Sequence, residues 1–137
     1  KLLDEIMKDE FSAVFLGVGA GVPALLGIKG ESSCNVYSAN EFLTRVNLMR
    51  AHKFPKFHTP VNIGRNVVII GGGNTAIDAA RVALRMQKIN GMNSNVTVYY
   101  RRSEAQMPAR RLEIRHAKEE GVKFSFLVQP SEFIADD

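Results

Sequence analysis

The apolar positions of this chain change period at one point, and that change organises the rest. Val67-Val68-Ile69-Ile70 is a run of four β-branched residues, which fits a short parallel strand buried on both faces. Three glycines follow, and from Asn74 the period becomes helical. Ala76, Ile77, Ala80, Ala83 and Leu84 form one stripe of a helix over 74–88, ended by Asn90-Gly91. Val96 to Tyr100 is β-branched and aromatic throughout and predicts a second strand. Pro108 suits the first position of a further helix running to Glu120 and stopped at Gly121. Val122 to Val128 reads as a third strand. The order strand, helix, strand, helix, strand predicts an α/β fold whose sheet is parallel with right-handed crossovers.

The preceding half is less regular. Lys1 to Glu10 reads as a short helix or a frayed end. Ala13-Val14-Phe15-Leu16 is a buried-strand run ending in the glycine-rich turn Gly17 to Gly21. Pro23 keeps that turn from opening into a long helix, so it does not suit a pyrophosphate loop. Gly21 to Tyr37 is loop. Ser38-Ala39-Asn40-Glu41 is a capping box with Tyr37 and Phe42 at the staple positions. Phe42, Leu43, Val46 and Met49 share a face of the helix that follows, to about Ala51. Lys53 to Arg65, with Pro55, Pro60 and Gly64, is a crossing segment packed down by Phe54 and Phe57. Strands at 66–70, 96–100 and 122–128 leave one side of the first strand open. An open apolar edge invites aggregation, so Ala13–Leu16 is expected to fill it as a fourth strand.

Totals narrow the function. A length of 137 residues suits one domain with a real core. The net charge of +4 is mild and hints at an anionic ligand. There is no aromatic stacking platform, so a nucleic-acid partner is not expected. Cys34 is the only cysteine, which excludes a disulfide framework or cysteine metal cluster within the chain and suggests a reduced thiol in a cytoplasmic protein. His52 and His58 lack ligand spacing with any carboxylate or cysteine and His116 has no obvious partner, so no metal site is expected. No run reaches membrane-spanning length. The chain starts at Lys1 and stops just after a strand, so it reads as a piece excised from a longer protein.

The chemistry lies after the first strand. Gly71-x-Gly73-x-x-Ala76 matches the dinucleotide fingerprint with alanine in the third slot. Gly71 allows the tight turn, Gly73 lets a pyrophosphate approach the backbone, and Ala76 lets the helix pack close to the sheet. The helix start then offers free N–H groups and the positive dipole end. A plain structural turn is the competing reading. The fingerprint makes the domain Rossmann-like, with three layers, a sheet of three to four mostly parallel strands and flanking helices. The second strand ends in Tyr99-Tyr100-Arg101-Arg102-Ser103, with no acid before Glu104. A carboxylate there would bind the ribose 2′-OH of NAD, whereas arginine faces the 2′-phosphate of NADP. The interval is longer than the usual roughly 20 residues, and the loop Ile89–Asn95 explains part of the excess. Arg110 can add to the positive field; Arg111, Arg115 and Lys118 read as a solvated helix face.

Four stretches together resemble one family. They are 15–21 (Phe-Leu-Gly-Val-Gly-Ala-Gly), 37–43 (Tyr-Ser-Ala-Asn-Glu-Phe-Leu), 71–81 (Gly-Gly-Gly-Asn-Thr-Ala-Ile-Asp-Ala-Ala-Arg) and 100–109 (Tyr-Arg-Arg-Ser-Glu-Ala-Gln-Met-Pro-Ala). The chain is similar to the small (beta) subunit of NADPH-dependent glutamate synthase, an enzyme of glutamate biosynthesis, and its flavoprotein relatives. The resemblance implies an NADPH-binding domain over 1–137, inserted in a larger FAD- and NAD(P)-dependent flavoprotein, with 1–21 from the FAD-domain border. It implies hydride transfer from NADPH to FAD and onward electron transfer to iron–sulfur clusters. The positions carried over are Gly71, Gly72, Gly73, Asn74, Thr75 and Ala76 at the pyrophosphate, Asp78 near the nicotinamide side, and Arg101 and Arg102 at the 2′-phosphate. No catalytic residue is expected in the chain. FAD, bound elsewhere in the parent, is not expected here, and the piece alone is expected to be inactive. The implied partners are the FAD and iron–sulfur domains and the large glutamate synthase subunit or another acceptor. The alternative is a nucleotide-sensing module without redox chemistry.

Overall fold

The computed structural model describes residues 6, 8, 11, 13–15, 17 and 22–135. Its centre is a parallel three-stranded sheet in the order β1 (Val67–Ile70), β2 (Val96–Tyr100), β3 (Lys123–Phe126). The register pairs Val67 with Val96 and Thr97 with Lys123. The two crossovers are the long helix α2 (Asn74–Ile89) and α3 (Arg111–Glu120). This is the expected α/β architecture, with the sheet in its three-stranded form.

Burial follows the strand period. Val96, Val98 and Tyr100 are buried on one face of β2, against α2, while on the other Thr97 is partly covered and Tyr99 exposed. The five apolar positions of the α2 stripe are all buried, joined by Ala79, Met86 and Gln87. Gln87 is a fully buried polar residue that the apolar stripe did not reveal. Its Nε2 donates to the Gly64 and Arg65 carbonyls at 2.8 and 3.1 Å, and its Oε1 accepts from the Asn95 N–H at 2.9 Å. It thereby pins the residues that lead into β1 and β2, which is why a polar group is tolerated there.

The helices α2 and α3 are also joined by charge. Arg81 reaches Glu113 and Glu120 at 2.7 Å each, and Arg85 reaches Glu120 at 2.7 Å. The hydrogen bond to Glu120 holds the Arg81 guanidinium above its usual value, against the opposing effect of burial. For Glu120, burial pushes the carboxyl up, but bonds from Arg85 and Arg81 outweigh it and leave the group below its usual value.

Several expectations change. Residues 13–15 are in no strand, and Phe15 is 94% exposed, so they do not fill the open edge of β1. Leu16, residues 18–21 and most of 1–10 lie outside the described residues. Val68 is 48% exposed, so β1 is not buried on both faces; it is an edge strand here, and Val68 lines an apolar groove beside it. Ser38 does cap its helix, accepting from the Glu41 N–H at 3.1 Å, and Phe42 and Val46 are buried. The regular helix α1 is nevertheless only Ala39–Leu43; a wider π-type turn follows over Thr44–Leu48, and Met49 is exposed. Glu41 pairs with Arg45 at 2.8 Å. Phe54 is exposed and packs nothing down, whereas Phe57 lies under Arg50.

Candidate functional site at the carboxyl ends of the strands

Three glycines leave β1 with three different duties. Gly71 has φ +135°, a conformation that favours glycine, and a Cβ on it would touch the Ala76 methyl at 3.4 Å. Small residues at both positions let α2 start close to the sheet. Gly72 is buried, and a Cβ there would lie 2.5 Å from Cε2 of the Tyr100 ring. Its missing side chain therefore makes room for Tyr100, not for a ligand. A Cβ on Gly73 would meet nothing within 4 Å. That open space lies at the start of α2, where Gly73 is the N-cap without a capping side chain. The first amide groups of a helix have no partner inside it, so this end suits an anion.

The chain leaving β2 returns to this turn. Ser103 and Gln106 form a capping box around the 3-10 turn Glu104–Gln106. The Tyr100 hydroxyl donates to the Gln106 carbonyl at 2.9 Å. The Ala109 N–H then donates to the Gly72 carbonyl at 3.0 Å, and the Arg110 N–H to Oδ1 of Asn74 at 2.9 Å. These bonds hold Met107 and Arg110 extended, so α3 starts at Arg111 and not at Pro108, with Arg110 as an N-cap lacking a side-chain bond. Two helix starts without side-chain caps thus meet at one place.

Four guanidinium groups surround that place in sequence. Arg101, Arg102, Arg110 and Arg111 are all exposed. Among the described residues, their side chains have no carboxylate or other hydrogen-bond partner. The other arginine and lysine side chains of these helices are occupied: Arg81 and Arg85 by Glu120, Lys88 by the Glu120 carbonyl, Arg115 by Glu119, Lys118 by Glu104. Unpaired arginines suit anionic groups such as phosphates, and the backbone at Gly73 is open to close approach.

The predicted positions Gly71, Gly73, Asn74, Thr75 and Ala76 thus lie in the turn and the first turn of α2, and Arg101, Arg102 and Arg110 in the segment tied to it. Thr75 borders the groove along β1. Asp78 is exposed and close enough to Arg81 to raise its basicity. Tyr100 and Gln106 were not foreseen, although the Ser103-x-x-Gln106 spacing is a capping-box signature that marks the turn. Arg111 belongs with the unpaired group and apart from Arg115 and Lys118. His52 is hydrogen-bonded between Nδ1 and the Val46 carbonyl at 2.9 Å. Among the described residues no cluster of histidine, cysteine and carboxylate is placed to hold a metal, and no helix is long and apolar enough to cross a membrane.

Comparison with known proteins adds the context. The family profile described as pyridine nucleotide-disulphide oxidoreductase matches residues 3–137. The chain is 38% identical over 131 residues to the glutamate synthase [NADPH] small chain of Escherichia coli (strain K12), covering 93% of this chain and 26% of that protein. It is 38% identical over 136 residues to the NADPH-Fe(3+) oxidoreductase subunit beta of Geobacter sulfurreducens, covering 97% of this chain and 18% of that one. The chain therefore spans about a fifth to a quarter of the length of these relatives. A solved structure, the bacillithiol disulfide reductase Bdr (YpdA) from Bacillus cereus, superposes with a TM-score of 0.48 at 19% identity, over 82% of this chain and 29% of that one.

Proposed function

The chain belongs to the pyridine nucleotide-disulphide oxidoreductase family, and we propose that it is the NADP(H)-binding domain of a flavin-dependent oxidoreductase like the glutamate synthase small chain. The observation that carries this reading is the set of four partnerless arginines beside two helix starts without side-chain caps. Backbone amides around Gly73 and Asn74 hold the pyrophosphate. Arg101 and Arg102, with Arg110, hold the 2′-phosphate, where a carboxylate would repel it. When bound, NADPH supplies a hydride from its nicotinamide ring. The described residues contribute binding and orientation, and no side chain among them moves a proton in that step. In the parent protein the acceptor is FAD, and electrons pass on to iron–sulfur clusters; those groups and the partner domains or subunit lie outside this domain. The names of the relatives, which specify NADPH, support the choice of the phosphorylated dinucleotide.

Side-by-side calorimetric titration with NADPH and NADH tests the reading. Arg101→Glu loses a charge-assisted bond of about 1.5–3 kcal/mol, so NADPH binding weakens roughly tenfold to a hundredfold and NADH binding changes little. Equal losses for both dinucleotides would refute the assignment.

A further inference from the structure

Asn74 occupies the first position of α2, where a fingerprint residue is expected to face the pyrophosphate. Its Oδ1 is instead engaged by the backbone N–H of Arg110 at 2.9 Å, 36 residues away. The neighbouring bond from the Ala109 N–H to the Gly72 carbonyl runs parallel to it in sequence. Together they join the glycine turn to the end of the arginine-bearing segment. That segment contains only one 3-10 turn, and its other end is tied to the residue that follows β3 by a long bond, Leu127 N–H to the Arg102 carbonyl at 3.4 Å. Two short bonds thus join its end directly to the glycine turn, and one of them is supplied by a side chain.

We propose that Asn74 is a positioning residue that sets the preference for the phosphorylated dinucleotide, acting through the backbone of Arg110. The proposal rests on the NADP(H) reading above. Pyrophosphate is common to NADPH and NADH, whereas the 2′-phosphate belongs to NADPH alone. A side chain serving the pyrophosphate directly weakens both ligands alike when removed. A side chain that holds the arginines in place weakens NADPH selectively.

The test titrates the purified protein, Asn74→Ala and Asn74→Asp with NADPH and with NADH by calorimetry. Amide hydrogen exchange at Arg110 is followed in the same proteins without ligand. Asn74→Ala is expected to lower the NADPH-over-NADH affinity ratio by roughly five- to tenfold, the fold-change of one lost hydrogen bond, and to speed exchange at Arg110. Asn74→Asp keeps the acceptor, so it retains the protection at Arg110, while its charge weakens both dinucleotides and NADPH the more, because of its extra phosphate. An unchanged ratio in Asn74→Ala, or a changed ratio with unaltered protection at Arg110, overturns the positioning role. If the unsubstituted protein itself shows no preference, the NADP(H) reading fails and takes this role with it; a normal preference combined with an indifferent Asn74→Ala removes the role alone.

Discussion

Gly72 and Gly73 are adjacent, yet alanine at each should fail in opposite ways. At Gly72 the new methyl would sit 2.5, 2.7 and 2.9 Å from three ring carbons of Tyr100. That ring is buried and tethered by its hydroxyl to the Gln106 carbonyl. It cannot yield without breaking the tether and opening the core. Overpacking typically costs about 1–3 kcal/mol, and the lost hydrogen bond adds about 0.5–1.5 kcal/mol, so Gly72→Ala should destabilise by roughly 2–4 kcal/mol. At Gly73 the methyl meets nothing, and the backbone at φ −86°, ψ 170° accepts alanine. Poorer capping and a less flexible unfolded chain offset one another, which keeps the stability change within about 1 kcal/mol. The Gly73 methyl instead enters the space assigned to the pyrophosphate. Urea denaturation of both variants, read at the midpoint with the slope checked for constancy, followed by NADPH titration, separates the two effects. The reasoning fails if Gly73→Ala is as destabilised as Gly72→Ala, or if it folds normally and binds NADPH as tightly as the parent.

Two further perturbations address the scaffold. Gln87→Leu leaves the Gly64 and Arg65 carbonyls and the Asn95 N–H without their buried partner; the loss should exceed about 2 kcal/mol in urea unfolding, with faster amide exchange at Asn95. Glu120→Gln removes the shared carboxylate of Arg81 and Arg85 and should lower stability at pH 7 by about 1–3 kcal/mol. Because the folded Glu120 carboxyl lies below its usual value, that contribution is complete above the ordinary carboxylate range and is lost as pH falls through the folded value. Unfolding midpoints of parent and variant should therefore converge in acid, and a gap that persists at low pH would contradict the assignment.

Local chemistry made the strand–turn–helix at 67–89 legible in the sequence. β-branched residues, glycine and the 3.6 period each act within a few positions, and Gly71 and Ala76 touch as their spacing requires. The two later strands and the parallel order were readable for the same reason. What the sequence could not decide were contacts between residues far apart along it. Pro108 has the signature of a helix start, but bonds to Gly72 and Asn74 delay α3 until Arg111. Ala13-Val14-Phe15 has strand composition without a partner strand among the described residues. Nor does any local pattern separate Arg81, bound to two carboxylates, from Arg101, bound to none. Side-chain type and spacing determined the strands and helices from 67 onward and where the arginines lie in the chain; the tertiary structure decided which of those arginines stay unpaired, because ion pairing depends on distances that only folding sets.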